Sequence, residues 1–151
     1  MALVPIDGVS DIVGVHWATG CMYLFSGNTN GTVGTPTFVS CGWQNYRNLE
    51  GPGDIDNDGI GDLVALRRSD GCAASWHGTR TGGFTYAGDH LCGRPDSNVM
   101  IGLGDLNGDD HGDVAGTDLV TTSMLTWFSN GAGAFIPSGQ HFCCFGQFIL
   151  T

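Results

Sequence analysis

The chain repeats itself every 51 residues, and this period constrains its fold more than any other feature. Slid by 51 positions without a gap, Asp7, Asp58 and Asp109 coincide, as do Asp11, Asp62 and Asp113. Phe25 meets Trp76 and Trp127, and Gly31 meets Gly82 and Gly133. Three units, 1–51, 52–102 and 103–151, account for the whole chain. A unit of this size cannot bury an apolar face alone and must stack on its neighbours. Each carries apolar runs of strand length between glycine-rich turns: 12–15, 21–25 and 37–40 in the first, 63–66, 73–76 and 84–86 in the second, 114–115, 125–128 and 135–136 in the third. Residues 43–49 make a last strand or the crossover into the second unit. Four short strands per unit is the pattern of a propeller blade. The expected fold is therefore all-β, a single repeat domain of three four-stranded blades.

An acidic loop precedes the first apolar run of the second unit. Residues 54–66 read D-I-D-N-D-G-I-G-D-L-V-A-L, with Asp54, Asp56, Asp58 and Asp62 at the first, third, fifth and ninth positions and Gly59 at the sixth. A hard cation such as Ca²⁺ takes roughly six to eight oxygens at about 2.3–2.6 Å, which alternate side chains of a tight loop can supply. The Ile60 carbonyl is the natural seventh-position donor. An EF-hand requires a glutamate at the twelfth position and flanking helices; here Ala65 stands there, in glycine-rich surroundings. The loop reads as a calcium loop that feeds a strand. The third unit repeats it with Asp105, Asn107, Asp109 and Asp113, His111 taking the seventh position and Asp110 the sixth, a left-handed turn that Asp tolerates. In the first unit the ungapped offset puts Leu3 and Pro5 in the places of Asp54 and Asp56, leaving Asp7 and Asp11, and no metal is expected there. Two Ca²⁺ sites per chain are expected.

The formal net charge of −10 argues against nucleic acid or anionic membrane surfaces as partners, and no stretch suits membrane insertion. Residues 1–3 lack the basic start and apolar core of a signal peptide, so the chain reads as a form whose targeting sequence is gone. Cys21 and Cys41 are 20 residues apart, as are Cys72 and Cys92 at equivalent positions, and two disulfides within units are the simplest pairing. The third unit has Ser123 in place of the first cysteine and the adjacent pair Cys143 and Cys144, which leaves a vicinal bridge, an intermolecular bridge or free thiols. Zinc is the competing reading, but no Cys/His spacing of a zinc site supports it. The cysteines point to an oxidising, secreted setting.

The aromatic at 25, 76 and 127 is expected to pack between units. Asn30-Gly31-Thr32, at a hairpin tip, is an N-glycosylation acceptor. His16, His77, His90, His111 and His141 are scattered, no G-x-S-x-G or HExxH motif is present, and the paired carboxylates are claimed by the calcium loops. Catalysis is not expected.

The loop 54–63, with the glycine-rich tip before Phe84 and the stretch Asn130-Gly131-Ala132-Gly133-Ala134-Phe135, resembles the FG-GAP/VCBS repeats of integrin-α-like β-propellers across all three units. The closer likeness is to integrin-like fungal propeller lectins, in which a Gly-Trp and a polar, basic stretch lead into the next calcium loop. Here Gly42-Trp43-Gln44-Asn45-Tyr46-Arg47 does so. The resemblance implies a sugar site between consecutive blades near Trp43, Asn45, Tyr46 and Arg47, with N-acetylglucosamine-type sugars as ligands and calcium as a structural ion. The second unit departs from it with Arg94-Pro95-Asp96, and the third has Phe145-Gly146-Gln147. Two readings of Trp43 stand side by side, sugar platform and interblade core.

Propellers close with about four to eight blades, so three leave two blade faces exposed. A homodimer completing six blades is the expectation, with a filament where the contact does not close; the alternative is that the chain is one piece of a longer protein. The functional expectation is a secreted, calcium-stabilised lectin binding glycans or glycoproteins multivalently. A structural or adhesive subunit of an extracellular assembly, or a protein-binding propeller, is the alternative.

Overall fold

A computed structural model of the chain describes residues 2–6, 8–92, 97–118 and 121–142. Over them the chain is all-β, with three four-stranded antiparallel meanders. Sheet I comprises β1 (Ala2–Pro5), β2 (Ser10–His16), β3 (Cys21–Phe25) and β4 (Thr37–Cys41). Sheet II comprises β5 (Tyr46–Gly53), β6 (Asp62–Arg67), β7 (Ala73–Gly78) and β8 (Phe84–His90). Sheet III comprises β9 (Ser97–Gly104), β10 (Asp113–Asp118), β11 (Ser123–Ser129) and β12 (Phe135–Phe142). Residues 43–45 form a single 3-10 turn between the first two sheets.

The sheets do not begin where the sequence units do. The segment after Trp43 pairs forward, Tyr46 opposite Arg67 and Gly53 opposite Asp62. It is thus the first strand of sheet II, and the sheets span 2–41, 46–90 and 97–142 rather than breaking at 51 and 102. The edge strands β1, β5 and β9 lie side by side, β5 between the other two.

Sheet II is the middle layer, and its central strand shows why. Residues 63–66 are all buried, an uninterrupted apolar run that only a strand covered on both faces requires. Leu63, Ala65, Ala74 and Trp76 point to sheet I and meet Val13, Met22 and Leu24. Val64, Leu66 and Ala73 point the other way and meet Val114, Leu125 and Trp127 of sheet III, with Ile55 and Met100. Trp76 and Trp127 thus fill corresponding gaps, 7% and 5% exposed, as their repeat position implied.

One carboxylate per unit ties its loop to its sheet. Asp62 accepts the Ile55 N–H and the Gly78 N–H, both at 2.7 Å. Asp113 accepts from Leu106 at 2.8 Å and Ser129 at 3.0 Å, and Asp11 from Ile6 at 3.2 Å and Gly27 at 2.8 Å. All three carboxylates are buried. The first spacing differs: Ile6 precedes its aspartate by five residues, Ile55 and Leu106 by seven. The bond between units agrees, since the Gly61 N–H donates to the Pro5 carbonyl as the Gly112 N–H does to that of Asp54. Pro5, not Leu3, therefore stands at the place of Asp54, and the gapless alignment fails there. The first loop is two residues short, and Ala2–Pro5 forms strand β1 instead of the expected degenerate loop. Asp7 lies outside the described residues.

Candidate functional site

The acidic loop of sheet II is wound around its own carboxylates. Asp54 accepts the N–H groups of Asn57 and Gly59 at 2.7 Å, Asp56 accepts that of Asp58 at 3.2 Å, and Asp58 that of Ile60 at 2.8 Å. This winding needs left-handed backbone at Asn57 (φ 66°) and Gly59 (φ 82°). It brings carboxylate oxygens of Asp54, Asp56 and Asp58 within 4.8 Å of one another. His77 on β7 closes one side, its Nδ1 2.8 Å from Asp56 Oδ2. Burial pushes the Asp56 carboxyl above the usual range; the Asp58 and Asp54 carboxylates add to this, and His77 opposes it. Three converging hard-oxygen donors suit a divalent cation. Asp62 stands apart from this trio, with both oxygens turned to backbone N–H groups. Burial pushes its carboxyl up to about 6. Ile60 is buried beside the loop.

The loop of sheet III has the same winding with a different charge pattern. Asp105 accepts from Gly108 at 2.6 Å and Asp110 at 3.0 Å, and Asp109 accepts from His111 at 3.0 Å. The left-handed positions recur with their residues exchanged, Gly108 (φ 83°) for Asn57 and Asp110 (φ 66°) for Gly59. The Asn107 amide donates to Asp109 Oδ2 at 2.9 Å, so a hydrogen bond inside the loop takes the place of one carboxylate repulsion. The Asp110, Gly108 and Asp109 N–H groups hold the Asp105 carboxyl below the usual range. The His111 ring lies against the sheet III tip, where a Cβ on Gly131 would collide with it. Of the two loops, that of sheet II brings three carboxylates together.

The second site is an open depression of about 420 Å³ between sheets I and II. It brings together Trp43, Tyr46 and Arg47, expected from the sequence, with Trp17, Gln44 and Arg68. Asn45 does not line it; its carbonyl accepts the Arg68 N–H at 2.8 Å. Trp43 belongs to the core: it is 7% exposed, packs against Trp76 with ring centroids 4.7 Å apart and the planes tilted by 48°, and donates from Nε1 to Ser40 Oγ at 2.9 Å. Trp17, in the turn after β2, is 91% exposed. It is the residue with a ring face to offer, and sequence reasoning passed it over because it has no repeat partner at 51 residues: Arg68 stands there in the second unit. Neighbouring arginines differ in the same way. Arg67 is gripped by Asp70 and Asp89, each at 2.8 Å. Arg68 is held through Nε on the Gln44 carbonyl at 3.1 Å and sits at the rim of the depression.

Disulfides join Cys21 to Cys41 and Cys72 to Cys92. No helix among the described residues is long and apolar enough to cross a membrane. Arg94-Pro95-Asp96, Phe145-Gly146-Gln147 and the Cys143, Cys144 pair lie outside the described residues. Compared with known proteins, the chain matches no family model, no curated protein and no solved structure.

Proposed function

We propose that the chain is a secreted, calcium-stabilised lectin of the β-propeller type that binds glycans without catalysing a reaction. The observation that carries this reading is the depression between sheets I and II, where the exposed Trp17 ring stands beside Tyr46, Gln44, Arg47 and Arg68. An aromatic face packs on the C–H face of a pyranose, while planar amide and guanidinium groups donate to hydroxyl, acetamido or carboxylate oxygens. N-acetylated sugars, whose acetamido carbonyl is an acceptor, fit these donors. Three four-stranded sheets with a recurring loop lock are consistent with propeller blades, and two disulfides with an oxidising compartment.

Calcium in this reading is structural. Asp54, Asp56 and Asp58 would hold it in the second unit, with the Ile60 carbonyl, and Asp105, Asn107 and Asp109 in the third. The ion offsets the converging negative charge and fixes the loop beside β7, while the sugar meets side chains alone.

The test is a glycan array on the whole chain in calcium, repeated with Trp17→Ala. Selective binding to N-acetylated sugars that the variant loses, with an unchanged unfolding midpoint, supports the reading. A blank array from folded, calcium-loaded protein sinks it, as does full binding by the variant.

A further inference from the structure

The stacking of the sheets follows one rule, and two faces are left over by it. At the junction of I and II, the face of sheet I carrying Val13, Met22 and Leu24 covers the face of sheet II carrying Leu63, Ala65, Ala74 and Trp76. At the junction of II and III, the face with Val64, Leu66 and Ala73 covers the face with Val114, Leu125 and Trp127. Shifted by 51 residues, the same donor face meets the same acceptor face each time. The rule is head-to-tail, and among the described residues no further sheet covers the acceptor face of sheet I or the donor face of sheet III.

We infer that a second copy of this chain docks there, its sheet III donor face on the sheet I acceptor face. The acceptor face carries Ile12, Tyr23 and Phe25, all partly exposed, whereas their equivalents in sheets II and III are buried. Phe38, opposite Tyr23 across the strands and edge-on to it, is 58% exposed. An apolar hollow of about 380 Å³ opens on this side of the sheet, lined by Gly14, Val15, His16, Tyr23, Phe25 and Pro36. On the donor face of sheet III, Ile136, opposite Phe128, is 54% exposed.

The hairpin tips tell the same story. A Cβ on Gly82 would fall 2.6 Å from Leu24 of sheet I, and one on Gly133 2.6 Å from His77 of sheet II; one on Gly31 meets nothing within 4 Å. The tips of sheets II and III each lean on the preceding sheet, and among the described residues that of sheet I has no such sheet to lean on. On the acceptor face Tyr23 stands where sheet II has Ala74; on the donor face Ala115 and Thr126 are buried within the chain, and solvent reaches Met124, Phe128 and Ile136. A contact between two different faces is heterologous, closing into a ring or growing as a chain of copies.

The experiment is light scattering on size-fractionated whole chain, with the outward-facing variants Phe38→Glu and Ile136→Glu. The wild type is expected at twice the 15.8 kDa chain mass or a higher multiple. Each variant alone is expected to run as a monomer with a wild-type β-sheet spectrum. An equimolar mixture is expected to regain pairs, because each variant keeps the face the other has lost. Three results overturn the inference: a monomeric wild type, dissociation by only one of the variants, or no recovery on mixing. A sheet I face covered by a different protein, or by further repeats of a longer chain, gives the first.

Discussion

The Asp62 carboxylate accepts the Gly78 N–H at 2.7 Å across 16 residues of chain, from a position with no solvent exposure. Its second oxygen takes the Ile55 N–H, so one side chain joins the entry of the acidic loop to the end of β7. Asp62→Ala leaves both donors buried without an acceptor, each costing about 1–3 kcal/mol. The expected loss is about 3 kcal/mol in urea unfolding, in chelator as well as in calcium. A loss seen only with calcium present would assign Asp62 to the ion instead.

Two tryptophans at one depression should part company under mutation. Trp43→Ala removes a buried ring and should cost about 3–5 kcal/mol. Trp17→Ala removes an exposed one and should leave stability within about 0.5 kcal/mol. Thermal unfolding of the pair checks both, and equal losses would contradict the packing described.

The loops of sheets II and III should differ in calcium affinity. Asp58→Asn removes one of three converging carboxylates, whereas Asp109→Asn acts on a loop already moderated by the Asn107 amide. Calcium titration followed by calorimetry should show the tighter site lost in Asp58→Asn and kept in Asp109→Asn. Saturation at about 100 times the dissociation constant should add roughly 2.7 kcal/mol of stability per site, absent in chelator.

Much of this arrangement was legible in the residues. The apolar runs at 63–66 and 73–76 and the glycine tips announced the strands, and equal cysteine spacing gave both disulfides. The sheet boundaries were not legible, because periodicity fixes the length of a unit but not the point at which strand pairing begins. Pro5 is the sharper lesson: deleting two residues from a loop leaves the downstream 51-residue register intact, so an ungapped comparison aligns the wrong residues before Asp11. Trp17 escaped for the opposite reason, since it belongs to one unit only and no repeat argument reaches it.

His90 should give the chain a pH-dependent stability. Its Nε2 lies 2.9 Å from Ser75 Oγ and its ring stands edge-on to Phe135 of sheet III at 5.6 Å. Burial pushes the imidazole below its ordinary value of 6.5. The unfolded chain therefore takes up its proton first as pH falls. The contribution is present above about pH 6.5 and is lost as pH drops through the folded value. Unfolding midpoints should fall from pH 7 to pH 5 more steeply in the wild type than in His90→Gln.

The single pair of faces used at each junction has a consequence for how such a chain can change. Because sheet II serves as acceptor on one side and donor on the other, its interior carries no information about how many units precede or follow it. Duplication or loss of a whole unit brings an equivalent pair of faces together and asks only that their side chains be refitted, as Met22 and Leu24 of sheet I stand where sheet II has Ala73 and Ser75. Copy number is then decided at the ends alone, where few substitutions separate a surface that accepts a neighbour from one that refuses it.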